Sequence, residues 1–458
     1  MKLDVIIRTF FARHLTPTRI FVFSFAAVIL FGTLALWLPV SASAAKGNLR
    51  FIDALFTSAS AVCVTGLTTI NIGRDLSLIG QLITLVLFQV GGLGIITFSL
   101  VLFALMGRGI SFKGHEIAQS TFMQSPRRDF SLIIVRVLRY TLVIEGIGAV
   151  LLFVRFVFDF PVGEALYHAV YNAVSAFNNC GYSLFPDNMM RYQSDILVNV
   201  TIMGLIIMGG IGFVVLHEVM SKIRGKQKKL SLHSKIVLIA TGGLILAGTA
   251  CFYFLEMNNV LNGASVKTTI LMSFFQSVTA RTAGFNTVDI SMLTNSTILV
   301  IMVLMFIGAS PGSTGGGVKT TSFSILLLLF INRMKGNENV NVSNRTIPKE
   351  QIEKTISIIF ASAIIIGIII AVLLLASGSN ADPLASRYQF IEYAFETFSA
   401  FGTVGLSMGV TPKLNDFQKY AIIAMMFIGR VGPLTLVFAW YSARKKGLTY
   451  AEESVMVG

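Results

Sequence analysis

The chain has 458 residues, of which 54% are hydrophobic and 13% charged, with a mean hydropathy of +0.76 and a formal net charge of +14. A soluble protein of this length could not bury so much apolar surface, so the composition excludes a soluble globular fold. Several apolar runs exceed the roughly 18 residues that a membrane-spanning helix needs. The sequence therefore predicts a polytopic membrane protein.

The positive charge could reflect a nucleic-acid partner or membrane topology, and its placement favours topology. Five segments hold 22 of the 36 Lys and Arg residues: 1–19, 107–130, 221–235, 333–354 and 442–458. These segments share one face of the membrane if the spans alternate, which is the positive-inside pattern. We therefore predict no nucleic-acid partner and two cytoplasmic termini, with basic clusters that can meet anionic lipid headgroups.

The first apolar run, residues 20–40, follows a basic start and precedes small residues, as the core of a cleaved signal peptide does. Its length of about 20 residues exceeds the roughly 7–15 that are typical of such a core. We therefore predict that this run is retained as the first helix.

Four short segments then repeat one pattern around a glycine. The anchors Gly66, Gly181, Gly284 and Gly405 are 115, 103 and 121 residues apart. An aromatic residue stands ten positions before each anchor, and a serine stands six positions before three of them. Glycine alone is a weak signal in a chain with 40 of them, but the matched positions and the flanking apolar runs make a chance pattern the weaker explanation.

Each glycine segment lies between two apolar runs, so we predict four repeats. Each repeat contains a long helix, a short re-entrant pore helix with its loop, and a second long helix (M1–P-loop–M2). The fold is then all-α, with eight transmembrane helices and four re-entrant pore helices around a central pore. The predicted boundaries of the repeats are 1–106, 107–220, 221–340 and 341–458, with re-entrant hairpins at 51–70, 165–186, 270–288 and 390–410.

The residues at the anchors suit a pore that strips water from a small cation with backbone carbonyls. Glycine reaches the backbone angles that such a loop needs, and the short helices would aim their partly negative C-terminal ends at the pore. The side chains before the anchors differ between repeats, which is tolerable if the main chain is the ligand. The predicted filter residues are Val64, Thr65, Gly66, Asn179, Cys180, Gly181, Thr282, Ala283, Gly284, Thr403, Val404 and Gly405.

The second helix of the third repeat is interrupted by a glycine-rich stretch, residues 308–321. Irregular backbone at that depth survives only inside protein or beside a water-filled cavity. The stretch is not a phosphate-binding P-loop, because Val318 separates its last glycine from Lys319. We predict a mobile gating loop, with candidate gating residues Gly312, Gly315, Gly316, Gly317, Lys319 and Arg430.

Charged residues within the apolar runs have two explanations each. Arg430, near the middle of the last span, either faces the pore as part of a gate or is buried beside a distant acid, and the same alternatives hold for Lys319. Glu145 is either functional or in a buried ion pair, for example with Arg139. Glu396, on the fourth pore helix, is interpreted as structural rather than as an ion ligand.

These motifs together resemble the Trk/Ktr/HKT superfamily of cation transporters over essentially the whole chain, and within it the membrane subunits of bacterial Ktr systems. The motifs are Val-Cys-Val-Thr-Gly-Leu at 62–67, Asn-Asn-Cys-Gly at 178–181, Thr-Ala-Gly-Phe-Asn at 282–286, Thr-Val-Gly-Leu-Ser at 403–407, Gly-Ser-Thr-Gly-Gly-Gly-Val-Lys-Thr-Thr at 312–321 and Gly-Arg-Val-Gly-Pro at 429–433. The first loop departs from the family pattern, because it has Val64-Thr65 where Thr-Val is usual.

The resemblance implies a potassium uptake protein of the bacterial cell membrane, with K⁺ as the permeating ion and no covalent cofactor. It also implies a homodimer and a cytoplasmic KtrA-like ring that binds a nucleotide and controls opening. Glycine at the first filter, as in Gly66, goes with potassium preference. Sodium dependence is left open, and a sodium- or proton-coupled secondary transporter with relaxed selectivity is the alternative. An intramembrane enzyme is disfavoured, because no catalytic set of Asp, His or Ser residues is evident.

Overall fold

The structure, a computed structural model, describes residues 17–105, 130–378 and 383–440. The basic start, most of the 107–130 connector and the 442–458 tail lie outside the described residues, so their predicted placement is not tested. The first helices are α1 (Pro17–Trp37), α2 (Phe51–Val62), α3 (Ile72–Asp75), α4 (Leu78–Leu105), α5 (Phe130–Phe156), α6 (Val162–Phe177), α7 (Ile196–Gly210) and α8 (Phe213–Ile223).

The remaining helices follow the same alternation of long and short elements. They are α9 (Leu232–Glu256), α10 (Val266–Thr279), α11 (Asn295–Phe306), α12 (Thr320–Met334), α13 (Lys349–Ala376), α14 (Pro383–Gly402), α15 (Asp416–Val431) and α16 (Pro433–Trp440). Short 3₁₀ turns lie at Pro39–Ser41, Met190–Tyr192, Ile290–Met292 and Thr411–Lys413.

Polar side chains start the helices that follow each short helix. Asp195, Thr294 and Asn415 each accept a hydrogen bond from the backbone N–H three residues on, and Ser77 does the same for Gly80. Such a cap stabilises a helix by about 1 kcal/mol because it satisfies an N–H that has no partner in the helix. These caps determine where α7, α11, α15 and α4 begin.

One connector departs from the predicted all-α fold. A two-stranded hairpin pairs β1 (Asn341–Val342) with β2 (Arg345–Thr346). Ser343 and Asn344 between the strands have φ angles of 50° and 61°. Two successive positive φ angles are those of the tight turn that favours a hairpin, so local turn chemistry explains the exception.

The outer surface of the helices is apolar. Phe31 on α1, Ile239 on α9 and Phe360 on α13 are 74%, 75% and 68% exposed. Contiguous exposed apolar surface of this kind is typical of a face that contacts lipid. Among the described residues, three helices are long and apolar enough to span a membrane, and α7 with α8 would make a fourth if counted as one bent span.

The break between α7 and α8 corrects the prediction of one long second helix in the second repeat. α7 ends at Gly210, and α8 starts at Phe213 after a bend of 106°. Gly212 has a φ of +93°, and the N–H of Phe213 donates to the Gly312 carbonyl oxygen at 2.9 Å. A distant glycine-rich segment therefore replaces the helical hydrogen bond at this point, which local sequence patterns do not reveal.

Each short helix packs against the helix that follows the preceding short helix, and the four contacts form a closed cycle. α4 packs on α6, α7 on α10, α11 on α14, and α15 on α2. Two ion pairs join α2 to α15, where no chain segment links the first and last parts: Lys419–Asp53 at 2.8 Å and Arg50–Asp416 at 2.6 Å. The cycle places the C-terminal ends of α2, α6, α10 and α14 around one centre.

Candidate functional site: four glycine turns and the loop beneath them

The four anchor glycines form a ring at that centre. A β-carbon placed on Gly181 would lie 2.7 Å from Cα of Gly284. One placed on Gly284 would lie 3.2 Å from Cα of Gly405, and one on Gly405 would lie 3.0 Å from Cα of Gly66. A β-carbon on Gly66 would meet the carbonyl oxygen of Cys180, which closes the ring. Four segments far apart in sequence therefore meet where only glycine fits.

The backbone of each turn alternates in handedness. The anchors have φ angles of 94°, 77°, 77° and 94° in chain order. The residues two positions earlier, Val64, Asn179, Thr282 and Thr403, also have positive φ, from 49° to 70°. Residues of positive φ thus stand on both sides of one residue that is not among the positive-φ positions, and such alternation turns successive N–H groups to one side and carbonyls to the other. Sequence reasoning assigned positive φ to the glycines and missed the non-glycine positions, where this conformation is strained.

The N–H groups of the turns point away from the centre, towards the ends of the short helices. The N–H groups of Thr65, Cys180 and Val404 donate to the carbonyls of Ser60, Ser175 and Ser399 at 2.8–2.9 Å. The serine hydroxyls at 60 and 399 also accept from the N–H groups of Gly66 and Gly405 at 3.0 Å. Two of the three serines found six residues before the anchors, Ser60 and Ser399, therefore fasten the turn to its helix through their hydroxyls, whereas the Ser175 hydroxyl has no hydrogen-bond partner among the described residues.

The carbonyls of the same turns are left unpaired. Of the twelve predicted filter residues, all of which lie in the described part of the chain, only Gly181 accepts a hydrogen bond at its backbone oxygen, from Asn188 at 3.2 Å. Unpaired buried carbonyls are costly unless a cation or water takes the place of the missing donor. The turns thus have the donor set of a site for a small, weakly polarising cation.

A glycine-rich loop contacts the turns that form the ring. It follows α11, which ends at Phe306, and precedes α12, which starts at Thr320. The Gly316 N–H donates to the Thr403 hydroxyl at 3.0 Å, and the Thr314 hydroxyl donates to the Phe177 carbonyl at 3.2 Å. The loop is therefore bonded to residues at two of the four short-helix ends.

Two of the predicted gating glycines fit tightly in that place. A β-carbon on Gly316 would lie 2.5 Å from Oγ1 of Thr403, and one on Gly315 would meet Oγ1 of Thr282 and lie 2.6 Å from Cβ of Ala309. A side chain at either position would push the loop away from the ring. The other two predicted glycines, Gly312 and Gly317, both have a φ of +68° and make the turns of the loop.

Arg430 holds the loop from below. Its side chain is 2% exposed, and its guanidinium donates to the carbonyls of Thr314 and Gly91, and to that of Gly92 at 3.3 Å. These partners are carbonyl oxygens, and within the described part of the chain Arg430 forms no pair with an acid, which contradicts that alternative there. Lys319 donates within its own loop, from Nζ to the Gly315 carbonyl at 2.8 Å.

The two carboxylates that the sequence analysis singled out, Glu145 and Glu396, are both buried, and their hydrogen-bond partners lie outside the twelve predicted filter residues. Glu145 accepts from the side-chain amides of Asn178 at 3.0 Å and Gln89 at 3.4 Å, so the expected pair with Arg139 is wrong. Glu396 is fully buried on α14 and accepts from the hydroxyls of Thr411 and Ser407. Neither carboxylate contacts a turn carbonyl, and the hydrogen-bond partners of both carboxylates are uncharged amides or hydroxyls.

A second set of matched glycines lies 24–28 residues after the anchors, and sequence reasoning did not recognise it as a repeated feature. A β-carbon on any of them would collide with the carbonyl near the end of the short helix in the same segment: Gly91 with Val62, Gly209 with Phe177 and Gly429 with Phe401. Close approach of this kind is typical of small residues at helix interfaces in membranes. Their spacing after the anchors is the signal that could have identified them.

The structure thus defines a class: a helical membrane transport protein whose polar centre is made of backbone carbonyls. The TrkH family, described as a cation transport protein, matches residues 10–444 of the chain. The chain belongs to this family, which confirms the resemblance to the Trk/Ktr/HKT superfamily.

Curated relatives cover nearly the whole chain. The chain is 38% identical to "Ktr system potassium uptake protein B" of Bacillus subtilis (strain 168), over 97% of both proteins. It is 34% identical to "Potassium/sodium uptake protein NtpJ" of Enterococcus hirae, over 97% of this chain and 98% of the relative. The crystal structure of the potassium transporter TrkH from Vibrio parahaemolyticus matches with a TM-score of 0.69 at 19% identity, over 91% of this chain and 84% of that one, which shows a shared fold.

Proposed function

We propose that this chain is a potassium uptake pore, the membrane subunit of a Ktr-type system similar to KtrB. The observation that carries the proposal is the ring of four glycine turns with unpaired carbonyls at its centre. Carbonyl rings of this kind replace the hydration shell of a permeating cation. The printed names of the relatives, potassium uptake protein B and potassium/sodium uptake protein, support potassium as the ion. All of these relatives are uptake proteins, so we infer no enzymatic activity.

We propose the architecture of four M1–P-loop–M2 repeats, with eight spans and boundaries at 1–106, 107–220, 221–340 and 341–458. The order of long, short and long helices supports it, and so does the closed cycle of helix packing. Several second helices are shorter than a span because they are interrupted, at Gly212, at 308–318 and at Gly432. The ring would then lie within the bilayer, with both chain termini on the cytoplasmic side.

The twelve filter residues would bind K⁺ through their backbone oxygens, in the three positions of each turn. Electrostatic attraction from the C-terminal ends of α2, α6, α10 and α14 would favour a cation there. Because no carboxylate contacts these oxygens in the described structure, selection would depend on the number and spacing of carbonyls rather than on charge.

The gate would be the loop at 308–321, with Gly312, Gly315, Gly316, Gly317, Lys319 and Arg430 as its functional residues. The loop would cross the conduction axis below the ring. Hydrogen bonds from Arg430 to the loop at Thr314 and to α4 at the Gly91 and Gly92 carbonyls support this role. A guanidinium on the axis also repels an approaching cation. In this state the pore would be shut.

Opening would be controlled from the cytoplasm by a KtrA-like nucleotide-binding ring, and two copies of this chain would form the membrane dimer. The words "Ktr system" in the names of the relatives support a system of several components. The basic connectors at 221–235 and 333–354 are suitable docking surfaces because they are charged and end helices on the cytoplasmic side.

A second candidate, a sodium- or proton-coupled carrier with relaxed selectivity, is favoured by one observation. The potassium/sodium uptake protein is nearly as similar as the potassium uptake protein, at 34% and 38% identity. The two candidates differ in how strongly sodium competes.

The deciding experiment is ⁸⁶Rb⁺ uptake into proteoliposomes that contain the purified chain, with K⁺ or Na⁺ as competitor. The proposal expects block by K⁺ and little block by Na⁺, and equal block by both would favour the second candidate. Gly66→Ser is expected to reduce the K⁺/Na⁺ preference about tenfold, because its side chain displaces the Cys180 carbonyl. If the wild type shows no ⁸⁶Rb⁺ uptake, the Arg430→Ala variant is measured. Absence of uptake by that variant as well would contradict the proposal of a pore.

A further inference from the structure

The segment after the second turn folds back over the outer side of the ring, the side from which the short helices enter. Asn188 lies at the tip of this turn with a φ of +54°, and its N–H donates to the Phe185 carbonyl at 3.1 Å. Arg191 forms an ion pair with Asp187 at 2.7 Å and stacks over the Phe185 ring at 4.9 Å. The turn that carries Asn188 is therefore held in place by contacts outside the ring.

The carboxamide of Asn188 joins the second turn to the third. Its Nδ2 donates to the Gly181 carbonyl at 3.2 Å, and its Oδ1 accepts from the Asn286 N–H at 3.4 Å. The backbone N–H can only donate, so it requires Oδ1 on its side and places the amide N–H₂ against Gly181. The N–H of Met189 donates to the Asn286 carbonyl at 3.1 Å and makes a parallel link.

This contact makes the ring asymmetric. Within the described chain, the carbonyls of the other three anchors accept no hydrogen bond. The residues seven positions after those anchors are Gly73, Ser291 and Pro412, none of which carries an amide side chain. Of the four anchor carbonyls, that of Gly181 is thus partly neutralised and held by a hydrogen bond from outside the ring. The other three are free to turn towards an ion.

We propose that Asn188 is a specificity-determining residue that favours potassium over sodium at the outer end of the filter. The inference rests on the proposed function and adds a residue that lies outside the four turns. The donated hydrogen bond weakens the field of the Gly181 oxygen and restrains its position.

Both effects act in the same direction. A carbonyl that already accepts an N–H has less negative potential for an ion, and a weaker field favours the larger, less strongly hydrated potassium ion. A tethered carbonyl also cannot move inward around the smaller sodium ion. Whether field strength or cavity size decides selectivity, loss of the Asn188 donor therefore favours sodium.

The test uses Asn188→Gly in the full chain, because glycine accepts a φ of +54° without strain while the amide is removed. We expect the K⁺/Na⁺ ratio, measured as competition with ⁸⁶Rb⁺ uptake, to fall about fivefold, which corresponds to about 1 kcal/mol. The matched control is Asn259→Gly, which removes an amide that donates to the Met292 carbonyl away from the ring. The control should keep the wild-type ratio.

Asn188→Asp removes the hydrogen-bond donor to the Gly181 carbonyl and keeps the acceptor for the Asn286 N–H. The carboxylate still accepts from the Asn286 N–H but cannot donate to Gly181, so the proposal expects a reduced ratio in this variant too. A wild-type ratio in Asn188→Asp, or in Asn188→Gly with measurable ⁸⁶Rb⁺ uptake, would overturn the role of Asn188 and leave the pore intact. If K⁺ does not block ⁸⁶Rb⁺ uptake by the wild-type protein, the proposed function itself is overturned.

Discussion

The helix that follows the first turn and the one that follows the third turn occupy comparable places but differ in backbone. α4 is continuous for 28 residues, although it contains Gly91-Gly92-Leu93-Gly94. The helix after the third turn is instead interrupted, between α11 and α12, by a loop with five glycines and Pro311. Glycine by itself thus permits a helix, whereas proline removes a helical N–H and forces the chain elsewhere.

The difference also changes what the backbone groups contact. In α4, glycine allows close packing on the Val62 carbonyl, and the helix keeps its own hydrogen bonds. In the interrupted loop the backbone N–H groups find partners in other helices, such as Gly210 and Gly429. A broken helix therefore exchanges internal bonds for contacts that another conformation could rearrange, which is a property suited to a gate.

The largest expected effect comes from Arg430→Ala, because Arg430 joins the continuous helix to the interrupted one. A hydrogen bond from a charged donor is worth about 1.5–3 kcal/mol, so releasing the loop should raise ⁸⁶Rb⁺ uptake without a partner by about tenfold or more. Arg139→Ala is the control, since that arginine is exposed on α5. Unchanged uptake by a well-folded Arg430→Ala protein would show that the arginine is structural.

Gly91→Ala tests the close packing of the continuous helix. The added methyl collides with the Val62 carbonyl, which is backbone and cannot move aside. Overpacking lowers the free energy of unfolding by about 2 kcal/mol, and the higher helix propensity of alanine raises it by about 1 kcal/mol. We therefore expect a net loss of stability of about 1 kcal/mol. Thermal unfolding in detergent measures it. Gly367→Ala on α13, with no atom within 4 Å of its added carbon, should be neutral or stabilising, and equal losses in both would refute the packing argument.

Gly316→Ala tests the loop in the same way, with a smaller expected effect. The methyl meets the Thr403 hydroxyl at 2.5 Å, and a mobile loop can relieve that contact by moving away from the ring. We expect ⁸⁶Rb⁺ uptake to rise about threefold, since only part of the overpacking energy biases the loop. Gly204→Ala, where no atom lies near the added carbon, is the control. A fall in uptake with intact folding would indicate that the loop must pack against Thr403 to conduct.

The smallest effect concerns Asp75, the last residue of α3, two positions before the Ser77 cap of α4. Burial acts to raise the pKa of Asp75, but the Asn71 N–H and the charges of Arg74 and Lys46 outweigh it, so the pKa lies below the usual 3.8. A lowered pKa adds stability above pH 3.8 that is lost as the pH falls through the folded-state value. The melting temperature should therefore decline below about pH 4, and Asp75→Asn should remove that part of the decline. An equal decline in both proteins would exclude Asp75 as the source.

The sequence alone predicted the parts of the site that depend on local chemistry. The apolar runs located helices to within a few residues, for example the run at 20–40 for α1 (Pro17–Trp37). The matched glycines located the four turns because positive φ and close approach allow few other residues. Ser60 and Ser399 were visible as a pattern, although their hydrogen bonds to the turns were not.

Tertiary structure alone decided the rest. The break at Gly212 exists because the Gly312 carbonyl replaces a helical partner, and Arg430 found carbonyls 116 and 339 residues away where an acid was the alternative. Such contacts join segments whose separation in the chain carries no periodic signal. The sequence by itself determined which segments are apolar and where the backbone can turn, since both follow from neighbouring residues. Which carbonyls are paired, and therefore which are left without a hydrogen-bond donor, was decided only when four distant turns met.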